Sequence, residues 1–290
     1  MNKLLTLGLS LPLLACVVGG DATTGDDGSG GSGSNGSNGS NGSGTPDTAL
    51  HISSDMTLTP TYDVAKQTVV DAGATVTIPA GATVTFAPNT SIEVRGTVVV
   101  QGSKASPVHL SPATAGGHHY GFTVSAGGTL TMSYGIQTGG GITANGGTVT
   151  VTDTLMSQAS GDFLVVGAGK VDVSFSAIGL EPGAGTDTTH CDLHFGGTGT
   201  TISITHSNIS TSSYGLMLYG GTGVVLTNNN WFSNSIQVDT SPGVSGDLSG
   251  SWFDKTAPKA GPGATLTYNN PSATRLPAAT VDPLLGAGPR

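Results

Sequence analysis

Four segments of this chain fall into one register when Val149, Val171, Ile202 and Val224 are aligned: VTVTDTLM, VDVSFSAI, ISITHSNI and VVLTNNNW. The steps between them are 22, 31 and 22 residues, so the middle step reads as one 22-residue repeat carrying a nine-residue insertion. Apolar residues hold the first and third positions, and Thr152, Ser174, Thr205 and Thr227 share the fourth. Ser or Thr gives way to Asn229 at the sixth, while Met156, Ile178, Ile209 and Trp231 line up at the eighth. A period near 22 with about three short strands per repeat predicts a parallel β-solenoid, each repeat making one coil around the axis. A coil burying about six apolar side chains gains roughly 10–20 kcal/mol, and ordering its backbone costs more, at about 1–2 kcal/mol per residue. Coils are therefore expected to be stable only when stacked, with the eclipsed Thr and Ser positions forming polar ladders between them. An antiparallel sandwich, the competing fold, does not predict such a register.

Composition agrees with an all-β chain. Its 47 glycines are poorly suited to helices, where each costs about 1 kcal/mol relative to alanine. From about residue 47, short runs such as Thr75-Val76-Thr77-Ile78 and Thr83-Val84-Thr85-Phe86 alternate apolar with Thr or Ser and close on Gly, Pro or Asn turns, a strand signal at close spacing. Residues 19–46 are almost wholly Gly, Ser, Asn, Thr and Asp. They read as a disordered tether with a typical span on the order of 25–30 Å.

Ahead of the tether, Met1-Asn2-Lys3 and the apolar run Leu4 to Leu14 have the layout of a secretory signal. The run is well short of the roughly 20 residues that span hydrocarbon. Leu13-Leu14-Ala15-Cys16 resembles the bacterial lipobox, which implies cleavage before Cys16, lipidation of its thiol, and stable anchoring by two or more acyl chains. Val17, rather than Asp, follows the cysteine and by the same resemblance implies the outer membrane. The expected division is a signal peptide (1–15), a lipidated amino terminus with linker (16–46), the solenoid (47–256) and an irregular tail or cap (257–290). With Cys16 committed to lipid, Cys191 has no disulfide partner.

Asp63 to Pro112, which runs from a valine-rich strand through a Pro-Ala-Gly turn to further short strands, resembles the opening coils of right-handed parallel β-helix proteins of the pectin-lyase-like superfamily. ITHSNIS, LTNNNWFSN and SGSWFDK are similar to the Asn- and Trp-rich final coils of that family. The resemblance implies a right-handed parallel β-helix. It is weak for function, since one fold supports many activities.

Enzymes of that family usually cleave acidic polysaccharides, which requires either two facing carboxylates at about 5–10 Å or a cationic base with an acidic calcium cluster. Asp153 and Asp172 have no carboxylate at the same position of a neighbouring repeat, and the only arginines are Arg95, Arg275 and Arg290. The formal charge of −9 opposes acidic partners, and nine Lys and Arg in all argue against nucleic acid. A lyase or glycoside hydrolase is therefore the alternative to a non-catalytic structural, adhesive or glycan-binding module. The module is expected to be a monomer without a cofactor.

Two constellations remain. His190, Cys191, Asp192 and His194 lie in or beside the insertion, and thiolate or imidazole there would hold a soft or borderline metal. The plainer reading is a small buried cysteine between solvated histidines, with His118-His119-Tyr120 a similar turn. Tyr214, Tyr219, Trp231 and Trp252 crowd the last repeats, where stacked aromatics would bind neutral glycans. Against that, Trp231 and Trp252 are expected to fill the interior or cap its open end.

Overall fold

The computed structural model describes residues 48–277 apart from Pro182. The signal segment, Cys16, the tether and residues 278–290 lie outside the described residues. Among the described residues every regular element is a β-strand, and all pairings between strands are parallel. The chain is a parallel β-solenoid of about 10 turns. Each turn contributes a strand to three faces. The first face begins with Leu50–Ile52, Thr68–Val70, Ser91–Val94 and Gly121–Ser125. The second begins with Met56–Thr57, Thr75–Pro79, Thr97–Gln101 and Thr129–Ser133. The third begins with Thr61–Val64, Thr83–Phe86, Val108–Pro112 and Gly135–Thr138. Two long strands, Ile142–Thr152 and Asp162–Ser174, run from the first face into the second, which joins those faces into one 17-stranded sheet beside a 9-stranded third.

The register observed is the one the repeats predict. Val149 pairs with Val171, Val171 with Ile202, and Ser203 with Val225, which sets Ile202 against Val224. A fifth segment continues the series, because Val224 pairs with Gly246 at the head of GDLSGSWF. Glycine in place of the leading apolar residue conceals that segment from a pattern search. The nine extra residues are divided between two corners. Asp162 pairs with Cys191, 29 residues on, whereas Lys170 pairs with Thr201, 31 residues on. Seven of the nine thus enter before Cys191, where the third face turns into the first, and two after Phe195. Strand Thr265–Thr267 pairs with Ser245–Asp247 and carries the second face beyond residue 256.

Alternation sends one set of side chains inward on every strand. On the second face the inward column runs Val98, Leu130, Val149, Val171, Ile202 and Val224, none above 3% exposed. The eighth position forms the inward column of the third face: Met156 pairs with Ile178, Ile178 with Ile209, and Ile209 with Trp231, all at 1% exposure or less. Trp231 stacks on Phe253 at 6.2 Å, and Tyr268 meets Phe253 edge-on, so aromatic rings close the interior at this end.

From Tyr134 onward the chain turns between the second and third faces through one left-handed residue per coil. Tyr134, Asp153, Phe175, His206 and Asn228 all sit near φ +50°, and Gly250 follows at +71°. This conformation favours Gly and Asn, and a bulky side chain adopts it at a cost of about 1–2 kcal/mol. The next residue faces the interior and supplies the ladder. Thr154 N donates to Ser176 Oγ, Ser176 N to Ser207 Oγ, Ser207 N to Asn229 Oδ1, and Asn229 N to Ser251 Oγ, at 2.8–3.2 Å. These five side chains are fully buried. The ladder thus occupies the sixth position; the fourth, equally rich in Thr and Ser, points outward and is part-exposed.

Candidate functional site: a polar groove along the first face

Outward positions of the first face form a row that crosses the coils: Glu93 pairs with Thr123, Thr123 with Thr143, Thr143 with Val165, Val165 with His194, and His194 with Met217. Beside this row lies an open groove of about 490 Å³, lined by Gln67, Ser91, Tyr120, Thr123, Thr143 and Asp162 among others. Its lining residues come from successive coils, so it runs along the solenoid axis. Tyr120, 60% exposed, stands on its rim. The preceding residue, His119, is a core residue: its ring stacks on Phe86 at 4.1 Å, Nδ1 accepts from Gly121 N, and Nε2 faces the Thr138 carbonyl. Burial lowers its pKa, consistent with a neutral ring.

At the far end of the groove the insertion brings two histidines onto one carboxylate. His190 Nδ1 lies 2.9 Å from Asp162 Oδ1, and His194 Nδ1 lies 2.5 Å from Asp162 Oδ2. Burial pushes the Asp162 carboxyl up, but the hydrogen bonds from His194 and His190 outweigh it and hold the group below the usual carboxylate range. An ionised carboxylate only accepts, so each Nδ1 carries a proton and, in a neutral ring, Nε2 is the free acceptor. Tyr214 packs on His190 at 5.3 Å and Tyr219 on His194 at 5.6 Å. Tyr219 Oη donates to Asp239 Oδ2 at 2.6 Å. Burial, then Asp239, raises the phenol's pKa.

His190 and His194 therefore share a face, but the acid they meet is Asp162 of the preceding coil. Asp192 and Cys191 are both fully buried. Burial, with Asp162 and Asp192 nearby, raises the Cys191 thiol's pKa, and Sγ lies 3.0 Å from the Leu193 carbonyl. A thiol held protonated is neither a ready nucleophile nor a ready ligand. His190, Cys191, Asp192 and His194 do not converge on one point, and among the described residues no group of three His, Cys, Asp or Glu is placed to hold a metal. Of the four aromatics, Tyr214 and Tyr219 stand on the first face. Trp231 is inside the third-face column, and Trp252 lies on the outer side of the third face against Phe232 at 6.3 Å. Asp162, Asp239 and Tyr120 are the site residues that sequence reasoning missed.

Register pairs on these strands match no carboxylate with another: Asp162 meets Cys191, Asp172 meets Thr150 and Ser203, and Asp239 meets Met217. The class that fold and groove define is a parallel β-solenoid with a polar, aromatic-edged lateral groove. No family model matches the chain, and neither a curated protein nor a solved structure matches it.

Proposed function

We propose that this chain is a bacterial outer-membrane lipoprotein, anchored through Cys16, whose β-helix of the pectin-lyase-like type binds a neutral glycan without cleaving it. The observation that carries the reading is the groove along the first face, lined by Tyr120, Gln67 and Asp162, with His190, Tyr214 and Tyr219 continuing the same face beyond Asp162. Aromatic faces offer apolar area with a polar tip, a combination that suits the mixed surface of a sugar ring. The net charge of −9 favours neutral over acidic polymers.

A glycan array followed by calorimetry tests this. The expected result is binding to neutral glycans that weakens about tenfold in Tyr214→Ala, which corresponds to roughly 1.4 kcal/mol. A flat array retires the binding reading, and new reducing ends or unsaturated products in the same samples would establish the alternative hydrolase or lyase. For the anchor, labelled palmitate is expected in the wild type and absent from Cys16→Ser; equal labelling would overturn it.

A further inference from the structure

Asp192 is fully buried, and neither of its carboxylate oxygens has a partner at full hydrogen-bond geometry, although the Ser212 hydroxyl and the Ser210 backbone N–H act on it from nearby. The register shows what its slot is built for. Strand Cys191–Phe195 pairs with Tyr214–Leu218, and that strand with Ile236–Thr240, so Asp192, Gly215 and Gln237 stand one below another where the third face turns into the first. Gln237 uses the same slot fully. Its Nε2 donates to the Trp231 carbonyl at 3.3 Å and to Asp254 Oδ1 at 2.6 Å, while Oε1 accepts from Asn234 Nδ2 at 3.1 Å. This corner presents oxygens and needs a donor.

Asp192 brings two more acceptors instead, and Gly215 has no side chain to answer them. The Ser212 hydroxyl is close by, but its hydrogen is directed to the Tyr214 carbonyl (2.6 Å) or to Asn234 Oδ1 (3.0 Å), which leaves its lone pairs toward other partners. Asp187, at the foot of the insertion, acts electrostatically on Asp192. Its Oδ1 accepts from Gln158 N, Thr189 N and Thr189 Oγ1, whereas Oδ2 has only a 3.5 Å contact from Thr211. A fully buried acid, a part-buried acid that acts on it electrostatically and a hydroxyl oxygen thus lie about one corner, where unpaired charge on Asp192 is costly.

We infer that this corner binds a hard divalent cation of the calcium type, held by the Asp192 carboxylate with oxygens from Asp187 and Ser212, and that the ion clamps the insertion to the coil beneath it. All-oxygen donors suit calcium rather than metals that seek thiolate or imidazole. The site lies inside the corner, apart from the groove, and does not depend on the glycan reading. An ion bound only by the folded chain stabilises it by mass action.

The test is calorimetric titration of the EDTA-stripped full chain with CaCl2, beside thermal melts, with MgCl2 and ZnCl2 as comparators. A single calcium ion per chain and a Tm that rises with calcium are expected for the wild type. Asp192→Asn, which preserves shape, is expected to melt cooperatively without any calcium response, and Asp187→Asn to bind roughly tenfold more weakly or worse. Absence of heat and of a Tm shift in the wild type up to millimolar calcium, the weak end of natural sites, overturns the inference. So does unchanged binding by Asp192→Asn. Should Asp192→Asn fail to fold, the wild-type titration and Asp187→Asn decide.

Discussion

Asp162 shows how a single side chain gathers a surface. Its carboxylate holds His190 and His194 in place, and the two rings in turn carry Tyr214 and Tyr219. The carboxyl's pKa lies below its usual value even though burial pushes the other way. An acid depressed on folding adds stability that is present above its unfolded pKa, about 3.9, and is lost as pH falls through the lower native value. Melting temperature is therefore expected to drop more steeply below about pH 4 in the wild type than in Asp162→Asn, because every other carboxylate is common to both. Parallel curves from scanning calorimetry would show that the histidines do not hold this charge. Asp162 was hidden from the sequence because its partners lie 28 and 32 residues away, at offsets shifted by the insertion rather than at 22. His190 and His194 were visible as a pair. Alternation along an ideal strand also placed Asp192 beside them, but Cys191, Asp192 and Leu193 are all buried at the start of this strand, so alternation fails there.

Among the elements, the buried ladder has most to lose from a single change. Asn229 accepts from Ser207 N at 2.8 Å and donates to the Ile204 carbonyl at 2.8 Å, entirely out of water. Asn229→Ala leaves both backbone groups stranded, at about 1–3 kcal/mol each, so urea denaturation should show a loss of roughly 2–6 kcal/mol. Asn229→Ser should lose less, since Ser176 and Ser207 fill the same position with a hydroxyl. Equal losses would mean that the hydroxyl cannot bridge at this coil. The 22-residue period, the inward apolar columns and the recurrence of Thr and Ser at fixed positions are legible in the sequence, since each depends on spacing alone. Which of two Thr- and Ser-rich positions faces inward is not, because that depends on the left-handed residue between them. Phe175 and Tyr134 at that turn carry no sequence signal for such a backbone.

At the scale of the whole molecule, the strands among the described residues pair only with those of adjacent coils, so stability of the stack is close to a sum of coil and interface terms, while Arg275 and Leu276 reach back across coils to Glu181 and Asn230. Coils flanked on both sides should open last and the ends first. Leu50 and Met56, on the first coil, are 39% and 38% exposed, whereas Val149, Val171, Ile202 and Val224 are at 3% or less. Amide hydrogen exchange is expected to be slowest between Val149 and Trp231 and faster toward Leu50 and Thr267. One uniform protection factor across all coils would indicate that the stack opens as a single unit.

The row from Glu93 to Met217 advances by one strand spacing per coil, about 4.8 Å. Few globular surfaces repeat themselves in this way. A linear polymer lying along the axis would meet one backbone rung per step, dressed with side chains that change from Glu93 and Thr123 to Val165, His194 and Met217, and short fragments would engage only one or two. On the glycan-binding proposal, contacts after the first would be gained at high local concentration, and the groove would hold long chains more tightly than short ones.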